Sequence, residues 1–89
     1  MNLKDKIINE QNIDYFRFKF KNHIVGLCHG AFVILHLGHT NHFREAKKIC
    51  DILLVSITSD NFIKKGPLQP FFKSDERARF LLSIRYVDY

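Results

Sequence analysis

The order of two apolar segments and one amphipathic segment constrains the fold of this chain most strongly. Residues 23–28 form a short β-branched apolar run and residues 51–58 form a longer one, as is typical of strands. Between them, apolar residues recur at spacings of three and four, which predicts a helix over residues 38–49 with one buried face. That face comprises Phe43, Ala46, Ile49 and Cys50. A strand–helix–strand order needs a crossover between parallel strands, so the sequence predicts an α/β fold with a parallel sheet.

The segment before the first predicted strand is an N-terminal arm or extension that spans residues 1–22. Residues 4–9 are predicted to be helical. Phe16, Phe18 and Phe20 alternate with basic residues at the period of a strand. The same alternation also fits an arm that packs against the domain, so both alternatives stay open.

The C-terminal part of the chain predicts a further helix and a further strand. Ser74 can cap a helix with acidic residues in its first turn, and the core face of that helix comprises Ala78, Leu81, Leu82 and Ile84. Residues 85–89 are predicted to begin a third strand. The near-continuous apolar run of residues 51–58 predicts burial on both faces of its strand. Residues 23–89 are therefore expected to be one domain, truncated on its C-terminal side.

Composition favours a packed domain and excludes several other classes. Of the 89 residues, 46% are hydrophobic and nine are phenylalanine, which argues against disorder. No stretch approaches the roughly 20 apolar residues of a membrane span, and no signal peptide is recognisable, so we expect a cytoplasmic protein. The net charge of +5 suits an anionic small-molecule substrate, and no nucleic-acid-binding motif is present. Cys28 and Cys50 are expected to be free, small buried residues.

The turn between the first strand and the helix predicts a phosphate site. Gly30 and Gly38 bracket an apolar segment that contains His36, and His39 follows directly. A helix N-terminus offers unpaired backbone N–H groups and the positive end of the helix dipole, both of which favour phosphate. Two imidazoles at this point can donate hydrogen bonds to a phosphoryl group. The turn therefore indicates nucleotide chemistry.

The run from Gly30 to His39 resembles the G-x-F-D-x-L-H-x-G-H signature of the cytidylyltransferase-like nucleotidyltransferases. Further matches follow in the family's order, and together they cover residues 23–89. They are Ala46-Lys47-Lys48 with Asp51, Ser59-Asp60, Lys65-Gly66-Pro67, Glu76-Arg77, and Ile84-Arg85-Tyr86-Val87-Asp88. The resemblance implies a Rossmann-like, three-layer α/β fold with a parallel sheet, of which this chain is the N-terminal part.

The resemblance also implies an activity and a set of site residues. Family members join a nucleoside triphosphate to a phosphorylated small molecule and release pyrophosphate. By motif, His36, His39 and Lys65 take the catalytic positions. The nucleotide-binding positions are Gly30, Ala31, Phe32, His36, Gly38, His39, Arg77 and Arg85, and the substrate-binding positions are Asp60 and Lys64. No protein metal site is implied.

Partners and cofactor follow from the same resemblance. The nucleotide is CTP or ATP, and Mg²⁺ accompanies its triphosphate. The acceptor is a phosphorylated sugar, polyol or amino alcohol, with the sugar phosphate favoured by the Lys65-Gly66-Pro67 loop. Family members are commonly dimers, so a homodimer is expected. The resemblance implies a biosynthetic enzyme, with neither a nucleic acid nor a membrane as a partner.

Three departures from the family pattern leave an alternative open. Val33 replaces the aspartate of the signature, Cys50 replaces a glycine before Asp51, and Gln69 replaces a frequent arginine. A catalytically degenerate nucleotide-binding or scaffold module of the same fold is therefore the second hypothesis. A metal site is the third, because His36, His39 and His42 recur at a spacing of three with Cys28 and His29 nearby in sequence.

Overall fold

The computed structural model describes residues 3–32, 35–59 and 73–89 of the chain. A 3-10 helix spans Leu3–Lys6. Three α-helices follow, α1 (Ile13–Lys19), α2 (Leu37–Lys47) and α3 (Ser74–Leu82). The two strands are β1 (Val25–Gly30) and β2 (Ile52–Ile57). Within these residues, no helix is long and apolar enough to cross a membrane.

The sheet is parallel, as the strand–helix–strand order predicts. Val25 of β1 pairs with Ile52 of β2, and the register continues to the pair of Gly30 and Ile57. α2 connects the two strands, so the carboxyl ends of both strands lie at the same edge. The predicted α/β class with a parallel sheet is confirmed by this topology.

Asp88 and Tyr89 extend the pairing beyond β2. The backbone N–H groups of Asp88 and Tyr89 donate to the Leu53 carbonyl at 3.0 and 3.2 Å, and Val55 N–H donates to the Tyr89 carbonyl at 2.9 Å. These bonds lie where the sequence predicts the start of a third strand, although the segment does not form a regular strand. β2 therefore lies between β1 and the 88–89 segment.

The core lies on one face of the sheet, beneath α2 and α3. Cys28, Phe43, Leu53, Leu81 and Val87 form a single buried cluster. In the parallel register, Cys28 and Leu53 occupy positions whose side chains point to the same face of the sheet. Phe43 of α2 and Leu81 of α3 cover them on that face. Both crossover helices therefore pack on one side of the sheet.

Two burial predictions for this region are wrong. Ile49 is 80% exposed, because α2 ends at Lys47 and Ile49 lies beyond the helical face that Phe43 anchors. β2 is not buried on both faces: Leu53 is buried, whereas the other residues of the strand are only partly buried. The apolar run alone therefore overstated the burial of β2.

The alternation of phenylalanines in the arm does not produce a strand. Residues 13–19 form α1, because Phe16 and Phe20 are four residues apart and share one helical face. The rings of Phe16 and Phe20 lie 5.0 and 5.5 Å from the ring of Tyr89, centroid to centroid. Phe18 is on the opposite side and is 69% exposed. The arm therefore packs against the C-terminal segment, as the second alternative predicted.

Helix α3 begins at Ser74, the residue predicted to be its cap, so the cap lies one residue earlier than predicted. Lys73 is the N-cap, and its backbone N–H donates to the Glu76 carboxylate at 3.3 Å. Leu81 is buried as predicted, and Leu82 and Ile84 pack at the edge of the same cluster. Arg77 is also buried, although the apolar pattern did not place it on that face.

Candidate phosphate site at the start of helix α2

The two histidines of the signature form the N-terminal cap of α2. His36 has extended backbone angles (φ −144°, ψ 174°), and its Nδ1 accepts a hydrogen bond from the Gly38 N–H at 3.0 Å. His39 lies one turn on, and its Nδ1 accepts from the His36 N–H at 3.2 Å. Each imidazole thus satisfies a backbone donor at the helix start.

These caps fix the protonation pattern of both rings. A nitrogen that accepts a hydrogen bond from an N–H carries no proton, so in the neutral imidazole the proton sits on Nε2. His36 and His39 are therefore Nε2–H donors, and their ring centroids are 4.0 Å apart. The pKa of His39 is lowered by burial first, and then by the charges of His36 and His42. The lowered pKa favours the neutral form of the His39 ring.

Gly38 is required by the position of the His36 ring. A Cβ at Gly38 would lie 2.7 Å from Cε1 and 2.9 Å from Nδ1 of His36. Both distances are shorter than real Cβ contacts, so any side chain at Gly38 displaces the ring. The glycine between the two histidines is explained by this close approach.

The Gly30 turn is shaped by the Phe32 ring. Phe32 has a φ of 50°, in the left-handed region that non-glycine residues seldom adopt. Its ring lies over Gly30, where a Cβ would meet the ring at 2.8 Å. The same ring contacts His39 and Phe43, with centroids 5.3 and 5.7 Å away. The turn is therefore packed onto the histidine cap and the core of α2.

Arg77 reaches the same edge of the sheet from α3. It is 1% exposed, and its Nη1 donates to the Ala31 carbonyl at 2.6 Å and to the Thr58 carbonyl at 2.8 Å. Ala31 follows the end of β1, and Thr58 follows the end of β2. The structure thus brings Gly30, Ala31, Phe32 and Arg77 together with the histidine cap.

Of the remaining predicted site residues, the structure describes Arg85, whose contact lies elsewhere. Arg85 is exposed and its guanidinium lies over the Tyr86 ring, 5.8 Å from the centroid. Asp60, Lys64 and Lys65 lie outside the described residues, as do Val33 and Gln69. Their predicted roles remain predictions.

The third histidine belongs to a different contact. The His42 Nε2 lies 3.6 Å from the Cys28 Sγ on β1, and burial followed by the neighbouring Cys50 raises the pKa of Cys28. Among residues 3–32, 35–59 and 73–89, no three His, Cys, Asp or Glu side chains are placed to hold a metal. The described geometry gives no support to the hypothesis of a metal site on His36, His39 and His42.

Two motif carboxylates hold the fold rather than the site. Asp88 accepts hydrogen bonds at its Oδ2 from Lys47 Nζ at 2.5 Å and from the Leu53 N–H at 2.8 Å. Asp51 accepts from the Ile24 N–H at 2.9 Å. These bonds tie the end of α2 to the starts of both strands and to the C-terminal segment. In sequence these residues only match family motifs, and their role in holding the fold follows from the structure.

An apolar cavity of about 380 Å³ lies away from the histidines, between the arm and the edge of β2. Its lining includes Ile7, Ile8 and Ile13 of the arm together with Leu81 and Leu82 of α3. None of the predicted site residues lines it. The candidate site is therefore the capped start of α2 and not this cavity.

The turn, the histidine cap and Arg77 all lie within the match to a model of a known protein family. The cytidylyltransferase-like family model matches residues 27–89, a span that includes the turn, the histidine cap and Arg77. The chain belongs to the cytidylyltransferase-like family. Its match begins within β1, so the arm that packs on Tyr89 lies outside the matched residues.

Relatives within this family include bifunctional bacterial proteins. The chain is 45% identical to the bifunctional protein HldE of Helicobacter pylori strain J99 over 62 residues, which is 67% of this chain and 13% of that protein. It is 35% identical to the HldE of Syntrophotalea carbinolica over 67 residues, covering 73% of this chain and 14% of that protein. The chain thus spans about one seventh of the length of these relatives.

A solved structure shares the fold. The crystal structure of the lipopolysaccharide core biosynthesis protein from Thermoplasma volcanium superposes with a TM-score of 0.67 at 32% identity. The superposition covers 74% of this chain and 54% of that protein. This similarity shows that the parallel sheet and its crossover helices have a Rossmann-like fold.

Proposed function

We propose that this chain carries the triphosphate-binding half of a nucleotidyltransferase site. The reaction transfers a cytidylyl or adenylyl group from CTP or ATP to a phosphorylated sugar, polyol or amino alcohol. The observation that carries the proposal is the pair of Nε2–H donors at the start of α2, fixed by the caps of His36 and His39. Family membership supports the same class of reaction.

The proposed step needs positioning and charge stabilisation rather than a protein nucleophile. A phosphate oxygen of the acceptor attacks the α-phosphorus, and the bond from that phosphorus to the bridging oxygen of the β-phosphate breaks. Pyrophosphate leaves with the bonding electron pair. The two Nε2–H groups donate to phosphoryl oxygens as negative charge builds on them, and the N-terminus of α2 adds its dipole. Mg²⁺ enters as part of the nucleotide substrate.

The cap geometry provides a variant that separates binding from folding. In His36→Asn, the side-chain oxygen takes the place of Nδ1, and asparagine is a favourable N-cap residue. The variant therefore keeps the cap but lacks the Nε2–H donor. We expect it to unfold at the same urea concentration as the wild type and to lose pyrophosphate release. His36→Ala removes both functions and is expected to destabilise by about 1 kcal/mol as well.

The measurement is pyrophosphate release by the full-length chain, with CTP and ATP tested separately. The exposed Asn41 of α2 supplies the control, since Asn41→Ala changes neither the cap nor the donors. The proposal fails if His36→Asn, His39→Asn and the double variant all release pyrophosphate at the wild-type rate. It fails equally if the full-length wild type neither binds nor turns over either nucleotide.

The acceptor is the less determined part of the proposal. A sugar phosphate is favoured by the Lys65-Gly66-Pro67 sequence, and the names of the relatives and of the structural neighbour concern HldE and lipopolysaccharide core biosynthesis. A panel of phosphorylated sugars, polyols and amino alcohols, each with CTP and with ATP, identifies the acceptor. The sugar phosphates are expected to give the highest rate.

A degenerate binding module of the same fold is the second candidate. The observation that favours it is Val33, which stands where the family signature has aspartate. This candidate predicts nucleotide binding without turnover, and it predicts that Val33→Asp in the full-length chain stays inactive. A rate that appears in Val33→Asp refutes the module and assigns the loss of activity to this position.

A further inference from the structure

Arg77 is buried where an arginine is costly. It is 1% exposed, whereas the neighbouring charged residues Glu76 and Arg79 on α3 are exposed. A guanidinium remains charged in a protein, and burial of a charge is unfavourable unless hydrogen bonds compensate. Arg77 therefore has a specific set of partners that keeps it inside.

Its partners mark the point where the two strands end. The Ala31 and Thr58 carbonyls, which follow β1 and β2, both accept from Nη1 of Arg77. The Thr58 N–H donates to the Gly30 carbonyl at 3.0 Å, which is the adjacent bond between the ends of the two strands. One guanidinium nitrogen thus bridges the two backbones at the place where their pairing stops.

The bond to Ala31 also sets the direction of a backbone amide in the turn. A trans peptide group holds its C=O and N–H antiparallel, and the chain has no cis peptide bond among the described residues. Since the Ala31 carbonyl points at Arg77, the N–H of Phe32 in the same peptide group points away from it. The Phe32 ring then packs on His39, which links Arg77 to the histidine cap through one peptide unit.

We infer that Arg77 is a positioning residue, which fixes the Ala31–Phe32 peptide and the end of β2 so that the Phe32 N–H and the histidine cap present a preformed site for the nucleotide phosphates. The kinetic part of this inference rests on the proposed function. Arg77 acts from behind the turn, through backbone carbonyls, whereas the sequence resemblance implied a direct contact with the nucleotide.

The test compares four variants of the full-length chain. Arg77→Met keeps the length of the side chain and removes its donors, and Arg77→Lys keeps the charge but replaces the planar guanidinium with a single donor atom. Arg79→Met is the charge control on the exposed face of α3. Leu81→Ala is the stability control, because Leu81 is buried on the same helix and belongs to the core cluster.

Two readouts separate positioning from a purely structural role. At a temperature where all variants are folded by circular dichroism, we expect KM for the nucleoside triphosphate to rise about 10- to 100-fold in Arg77→Met. Arg77→Lys is expected to show a smaller rise. Leu81→Ala lowers the melting temperature but leaves KM unchanged. In the ligand-free protein, the Thr58 amide, which donates to the Gly30 carbonyl, is expected to exchange hydrogen faster in Arg77→Met than in Arg79→Met.

Each result has a defined meaning. Unchanged KM in both Arg77 variants overturns the inference. A raised KM with wild-type exchange of the Thr58 amide in the ligand-free protein also overturns it, in favour of a direct contact with nucleotide. If Arg77→Met does not fold, Arg77→Lys decides on the same two readouts. If the wild type shows no turnover, the proposed function fails, and the exchange of the ligand-free protein still tests the role of Arg77 in holding the turn.

Discussion

Replacing Gly38 with alanine separates the stability of α2 from the function of its histidine cap. The new Cβ would lie 2.7 Å from Cε1 of His36, so the ring has to leave its position and Nδ1 loses the Gly38 N–H. Losing an N-cap costs about 1 kcal/mol, whereas alanine in place of a helical glycine gains up to about 1 kcal/mol. The two changes nearly offset, so we expect the free energy of unfolding to change by less than about 1 kcal/mol.

Nucleotide binding is expected to respond very differently. Displacement of the His36 ring removes one of two donors from the preformed site, and misplacement of about 1 Å can cost on the order of 100-fold. Isothermal titration of the full-length chain with CTP and with ATP measures this loss, and urea unfolding measures stability on the same samples. Asn41→Ala serves as the matched helix control. Wild-type affinity in Gly38→Ala would refute the reasoning, as would a loss of stability well above 2 kcal/mol.

Three further predictions follow from the contacts of the described residues. Asp88→Ala is expected to lower the free energy of unfolding by about 1–3 kcal/mol and Lys47→Met by less, because only the first leaves the Leu53 N–H without its acceptor; equal losses in urea unfolding would contradict this. Phe43→Ala, at a fully buried position, is expected to cost about 3–5 kcal/mol, a large part of the stability of so small a domain; thermal unfolding measures it, with exposed Phe18→Ala as the control that should change little. The pKa of His39 is lowered in the folded state, so the unfolded state binds the His39 proton more tightly. The contribution of neutral His39 to the free energy of unfolding is therefore complete above the ordinary histidine pKa of 6.5 and is lost as the pH falls through the lowered pKa. Urea unfolding at a series of pH values should show that the free energy of unfolding falls less with decreasing pH in His39→Asn than in the wild type. Identical pH profiles of the two proteins would contradict this prediction.

The parallel sheet and its crossover helix could be predicted because hydrophobic periodicity is a local property of the sequence. The apolar runs before and after α2 differ in hydrophobic period from the helix between them. In the folded structure the same segments form the strands β1 and β2 and the helix α2. The histidine cap was predictable for the same reason. His36, Gly38 and His39 are close in sequence, so their contacts form within a single turn.

The errors arise where distant segments decide the outcome. The alternating phenylalanines of the arm have the local period of a strand, but Phe16 and Phe20 meet Tyr89 at the other end of the chain and pack as a helical face. Ile49 fits the helical spacing, yet α2 stops at Lys47 and leaves it 80% exposed. Neither the ring contacts with Tyr89 nor the helix end follows from spacing alone.

The sequence by itself determined the family, the order of the elements and the position of the glycine-containing turn before α2, because each is encoded by residues that are neighbours along the chain. The tertiary structure decided what the charged motif residues do. Arg77 and Asp88 read as parts of motifs in sequence, but the fold places one behind the turn on two carbonyls and the other on Lys47 and the Leu53 amide. The physical reason is that a charged side chain that is fully or partly buried takes its role from the hydrogen-bonding groups around it, and here these come from segments 19 to 46 residues away.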